Sequence, residues 1–198
     1  MSAPSHAFRT VEARVLDAAK ACCVRWGVAK VTIDDIATEA GVSRATLYRM
    51  FPGGKDVLFD ALRVRDLEDF FTRLTAEVHG IDDLEELLVR IVVMATRELR
   101  DDQHLAAILA SEPGETLGQL TVEGVPRITR VATVFLAPMV ESHLPRREAA
   151  RLVDLLARVV ISYFLAPSDH VDLGDPESAR SFVSTHITPA FQAVLHRS

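Results

Sequence analysis

The chain has 198 residues, 48% of them hydrophobic and 25% charged, enough to bury a core without disulfides or a structural metal. Its two cysteines, Cys22 and Cys23, are chain neighbours that point apart on a helix, which excludes a disulfide framework and fits a reducing compartment. A net charge of −6 would exclude a polyanionic partner if it were spread evenly.

It is not. Residues 1–55 carry eight basic and five acidic groups, a net of +3, and leave −9 for the rest; Lys20, Lys30 and Lys55 are all the lysines the chain has. A basic module on an acidic body points to a polyanion for the module alone. The first residues lack the apolar core of an export signal. The most apolar stretch, Leu155 to Ala166, is broken by Arg158 and is too short to span a bilayer. The expectation is a cytoplasmic protein without membrane association.

Helical periodicity runs through the sequence, with no alternating strand pattern. A first helix is predicted over Phe8 to Trp26, with Val11, Val15, Ala18, Cys22 and Trp26 on one stripe and Gly27 ending it. Thr32, with Asp35 three residues on, caps a second helix that stops at Gly41. Ser43 caps a third, Arg44 to Met50, closed by Pro52-Gly53-Gly54. A fourth runs from Lys55 to His79. Asp82 to Glu85 reads as a capping box for a fifth, which reaches Arg100. Short helices are expected at 103–111 and 115–122, around Pro113-Gly114. The next runs from Pro126 to His143 with Pro138 inside it, and Pro145 sits in the first turn of one reaching Ala166. Asp175-Pro176-Glu177 starts the last, which ends near Leu195 just after Pro189.

The informative segment is Thr32 to Arg49. Two short helices joined by a tight turn need small residues where they cross, and Ala37, Ala40 and Gly41 supply them. Ile33, Ile36, Val42 and Leu47 are the apolar positions that hold the pair against the first helix. Arg44, Ala45, Thr46, Tyr48 and Arg49 are left outward, a short basic face suited to a major groove. Arg44 and Arg49 can donate to guanine edges or phosphates, Thr46 to either, and Ala45 can touch a thymine methyl. Thr32 and Ser43 are placed to meet phosphates or only to cap their helices. Tyr48 can reach the backbone through its hydroxyl, and Lys55 can reach a phosphate.

Val15 to Cys23 followed by Gly27, together with Ile36 to Phe51 and Lys55, resembles the N-terminus of TetR-family regulators. The match covers about Arg9 to Leu62. Ala45, Met50 and the turn Pro52-Gly53-Gly54 depart from the commonest family pattern. The resemblance implies an all-α protein with a three-helix DNA-binding domain, here 1–55, and a larger helical dimerisation and ligand-binding domain, 56–198. It also implies a repressor released from double-stranded DNA by a small-molecule effector. The two cysteines read as core.

The stretch Leu152 to Leu165 is apolar on more than one face and needs cover on two sides. Val153, Leu156, Val160 and Phe164, with Phe182, Ile187 and Phe191 of the last helix, are the expected homodimer interface. A two-fold axis there would set two recognition helices roughly 34 Å apart on a palindromic operator. A pocket is expected from the resemblance. Phe70, Phe71, Met94, Phe135, Met139 and Tyr163 would supply its apolar lining, with Arg97, His104 and His143 orienting a polar group. Such a lining favours a hydrophobic or amphipathic compound, such as a lipid derivative or drug. No phosphate loop, nucleophile elbow or zinc spacing is present, so neither an enzyme nor a cofactor is expected. The alternative is a ligand-binding protein of this fold without specific DNA binding.

Overall fold

Caps and glycines set the helix boundaries of the computed structural model, which describes residues 6–102 and 124–195. The short helices expected at 103–111 and 115–122, with His104, lie outside the described residues. Helix α1 spans His6–Trp26 and α2 spans Ile33–Ala40. At the start of α2 the Thr32 hydroxyl accepts from the Asp35 amide while the Asp35 carboxylate accepts from the Thr32 amide at 2.9 Å, a complete capping box. Gly41 then takes φ 63°, a left-handed value that side chains resist, and turns the chain into α3, Arg44–Met50. Ser43 caps α3 by accepting from the Thr46 amide at 3.1 Å.

Helix α4 spans Lys55–Val78 and α5 spans Leu84–Asp101. The α5 cap is Asp83, which accepts from the Glu86 amide at 2.8 Å, one residue beyond the expected Asp82 and Glu85. Adjacent aspartates offer the same carboxylate, and the chain enters the helix at the second. Helix α6, Val125–Val140, passes through Pro138 and stops two residues later, short of the expected His143. Proline leaves one carbonyl of the preceding turn without its amide donor, which weakens the helix at that end. Helix α7 spans Arg146–Leu165, with Pro145 as its N-cap and not inside its first turn.

The C-terminal segment is not one helix. Asp175 caps α8, Pro176–Phe182, by accepting from the Ser178 amide. A π turn over Val183–Ile187 follows, and then α9, Thr188–Leu195. The wider turn lies immediately before Pro189, whose ring would clash with the carbonyl four residues earlier in a continuous α-helix.

Two compact units divide within α4, one up to Leu67 and one from Glu68 onward. In the first, α2 packs on α1 and on α3. Its core includes Val15, Ala19, Cys22, Ile36, Leu47 and Leu58, all with no exposed surface. Burial pushes the Cys23 thiol up to about 11, with the neighbouring Cys22 adding to the effect, and raises Cys22 in the same direction. Trp26 departs from its expected place in the stripe. It is 42% exposed, with the Arg25 guanidinium 5.1 Å from its ring centroid. Two ion pairs hold α4 to α1: Lys20 to Asp66 at 2.9 Å and Arg65 to Asp17 at 2.8 Å.

In the second unit α5 buries Leu87, Leu88, Val89, Ile91, Val92 and Val93 against α7, α8 and the π turn, while α6 packs along α7. Arg100 pairs with Asp172 at 2.8 Å, and Arg97 Nε donates to the Gly174 carbonyl at 2.8 Å. Both fix the loop before α8 to α5. Among the described residues no helix is long and apolar enough to cross a membrane.

Candidate nucleic-acid interface

Helix α3 has seven residues, and Leu47 is the one it buries. That anchor, with half-buried Met50 packed on the same core and the Ser43 cap, leaves the polar side of the helix facing out. Arg44, Ala45, Tyr48 and Arg49 are exposed, and Thr46 is half-buried. Ala37 and Ala40 are buried in α2, the helix that packs on both α1 and α3, as expected of small residues at a crossing.

The outward side chains are already engaged to different degrees. Arg44 donates through Nη1 to Asp34 Oδ2 at 2.9 Å, and its guanidinium carbon lies 5.5 Å from the Tyr48 ring centroid. Tyr48 first, and the Asp34 charge second, push the basicity of Arg44 above its ordinary value. Thr46 and Ser43 hydroxyls lie 2.9 Å apart. The Thr32 hydroxyl donates to Asp35 at 2.6 Å, so both cap hydroxyls serve their own helices. Arg49 has no hydrogen-bond or ion-pair partner among the described residues.

Lys55 is half-buried and ties its helix down. Its ammonium donates to the Val28 carbonyl at 2.8 Å and lies 5.6 Å from the Phe59 ring centroid. The turn before it needs both glycines: Gly53 and Gly54 sit at φ 123° and 72°. A β-carbon at Gly54 would also lie 3.4 Å from the Tyr48 ring, so this turn approaches α3 closely.

Asp34 is the residue that the sequence pattern missed. Asp34-Asp35 reads as an acid pair favouring the dipole at the start of α2, but only Asp35 closes the capping box. Asp34 reaches ten residues along the chain to Arg44, a contact that exists only once the Gly41 turn is made.

The residues expected around a pocket divide. Phe70 meets Phe71 edge-on at 4.7 Å between centroids, and Phe71 stacks on Phe135 at 5.9 Å. Met94, Met139 and His143 are half-buried. Tyr163 instead packs edge-on against Phe182 at 5.5 Å, and Arg97 is committed to the Gly174 carbonyl. Of the expected dimer residues, Val153, Leu156, Val160 and Ile187 face their own protomer's core, whereas Phe164, Phe182 and Phe191 are half-buried. The other ridge of α7 carries Leu155, 39% exposed, with half-buried Val159 and Tyr163. A stripe apolar on two faces does not tell a sequence reader which face is inward.

Comparison with known proteins agrees with this architecture. Residues 15–62 match the family of bacterial regulatory proteins described as the tetR family. An uncharacterized HTH-type transcriptional regulator of Mycobacterium tuberculosis is 30% identical, over 92% of this chain and 93% of that protein. The TetR family repressor AlkX of Dietzia, implicated in biodegradation of n-alkanes, shares the fold with a TM-score of 0.69 and 24% identity, over 92% of this chain and 95% of its own. FadR of Bacillus subtilis, solved in complex with stearoyl-CoA, superposes with a TM-score of 0.52 and 19% identity, over 88% and 98% of the two chains. An all-helical chain with a capped helix-turn-helix at its start, related along nearly its whole length to such regulators, belongs to the TetR family of transcriptional regulators.

Proposed function

We propose that this regulator is a dimeric repressor that reads a palindromic operator through α3 and is released by a small apolar or amphipathic effector. The family is regulatory and not enzymatic, and it binds DNA, usually as dimers. The observation that carries the reading is the polar, basic face of α3, turned outward by one buried leucine and a serine cap. Arg44 and Arg49 meet base edges or phosphates, Ala45 and Thr46 approach the groove floor, and Tyr48 reaches the backbone. Ser43 and Lys55 lie at the rim and keep donors for phosphates, while Thr32 gives both of its donors to Asp35 and fixes the start of α2 there.

Dimerisation uses the outer ridge of α7, with Leu155, Val159 and Tyr163, beside Phe182 and Phe191. The effector site lies around Phe70, Phe71 and Phe135 with Met94 and Met139 as adaptable walls. The acyl-CoA complex of FadR, a protein of the same fold, supports a long apolar chain as the ligand class. Effector binding shifts the dimer toward a form whose reading helices no longer match the operator spacing.

Selection of bound sequences from a random duplex library, at near-physiological salt, tests the reading. A palindrome is the expected product, bound with an affinity that falls steeply as salt rises. Tyr48→Ala should lose that binding and stay dimeric. No enriched sequence, from protein shown by denaturing mass spectrometry to carry no small molecule, would refute the proposal.

A further inference from the structure

The pairing of Asp34 with Arg44 adds little to stability. Both side chains are more than 60% exposed, and ion pairs in that setting contribute little. Asp34 is not the cap, since Asp35 and Thr32 close the box between them. A carboxylate beside a reading helix also repels phosphates, so on charge alone it lowers affinity for every duplex.

We propose that Asp34 is a positioning residue for sequence readout, holding the Arg44 guanidinium in the orientation that meets a guanine. The inference rests on the DNA-reading function above and deepens it. A free arginine head samples many rotamers, and fixing it on binding costs entropy. Here the head is confined before DNA arrives. Asp34 takes one donor on Nη1 at 2.9 Å, and the Tyr48 ring backs the guanidinium at 5.5 Å. The bond to Asp34 leaves donors on the other two nitrogens, and a guanine offers O6 and N7 to such a pair. Asp34 therefore gives up general affinity and gains discrimination at one base pair.

The two effects have opposite signs, which makes the idea testable. The selected operator, its single-base-pair variants and an unrelated duplex are titrated with wild type, Asp34→Ala, Arg44→Ala and the double variant. Asp34→Ala should bind the operator about tenfold more weakly, within the range for one well-placed arginine–guanine contact, and the unrelated duplex as tightly or more tightly. The lost preference should fall at the base pair that Arg44→Ala relaxes. In the Arg44→Ala background the Asp34 change should cost the operator nothing. Asp34→Asn, equal in size, removes the charge but keeps an oxygen that can accept from Arg44, so its base preference should fall between those of wild type and Asp34→Ala, and cooperative thermal unfolding confirms folded protein. Tighter binding of operator and unrelated duplex by one common factor, with base preferences unchanged, would overturn the proposal and leave Asp34 as a plain surface charge. Wild-type protein without any base preference would instead remove the DNA-reading function, and this inference with it.

Discussion

Leu47→Ala is the most demanding test of how the reading head is held. Leu47 is 0% exposed and is the only side chain that α3 buries. Truncation removes three buried carbons, worth about 2.4 kcal/mol at about 0.8 kcal/mol each. The cavity left in the core of this unit adds to this, for a total of about 3 kcal/mol, within the range for buried leucines. Half-buried Met50 packs on the same core, but Leu47 is the fully enclosed anchor. At 1.4 kcal/mol per tenfold, amides of α1 to α3 that exchange through opening of this unit should lose about a hundredfold of protection. Peptide-resolved hydrogen exchange reads this directly, and the same variant should lose operator binding although no base-facing side chain has changed. Protection in α2 and α3 within a factor of three of wild type would refute the claim that one leucine docks the helix.

Thr32→Ala should cost about 1 kcal/mol in chemical denaturation, the usual worth of an N-cap hydroxyl. The Thr32 hydroxyl and amide hold the Asp35 carboxyl below its ordinary value. Such a depressed group stabilises the fold above the ordinary carboxylate range, and its contribution is lost as pH falls through the lowered value. Thr32→Ala should therefore flatten the acid limb of the stability curve, and an unchanged limb would count against the box. For Cys23 the sign reverses. The unfolded thiol ionises near 9.0 and the folded one near 11, so stability should fall as pH rises through that interval. Cys23→Ala should lessen that fall, with Cys22 keeping a share of it, and at neutral pH both thiols should resist a thiol reagent until the protein unfolds. In the second unit, Arg97→Ala should lower the thermal midpoint by orphaning a carbonyl held at 2.8 Å. Gly174→Ala should lower it too, because its β-carbon would lie 2.5 Å from Arg100 Nη1, the atom that pairs with Asp172. Unchanged midpoints in both variants would mean that the loop is held elsewhere.

Much of the first unit was legible because its determinants are local. Thr32, Ser43 and Gly41 act within four residues of themselves, and their helix boundaries agree with the sequence reading. What was not legible depends on a third dimension. Asp34 looks like a dipole residue until the turn brings Arg44 beside it. Lys55 looks like a free cation until the connection after α1 offers the Val28 carbonyl. Trp26 continues the apolar stripe of α1 but extends past the core that the stripe serves. On α7 both ridges are apolar, and only packing against α5 and α6 selects Val153, Leu156 and Val160 as the inner one. An aspartate at Val160 would consequently damage the protomer itself, whereas Leu155→Asp probes association with the fold left intact. The π turn escaped because Pro189 marks a conflict without saying how the chain resolves it.

The tether of Lys55 has a practical side. The chain's side-chain amines all lie in its first unit, and among the described residues only that of Lys30 stands exposed without an ion pair or hydrogen bond; Lys20 is bound to Asp66 and Lys55 to a carbonyl. An amine-reactive dye that reaches a side chain should therefore label the first unit alone, at exposed Lys30 and ion-paired Lys20 ahead of half-buried Lys55. The acidic remainder of the molecule offers such reagents no lysine, so a dye on this protein reports from the reading head without any engineered attachment point.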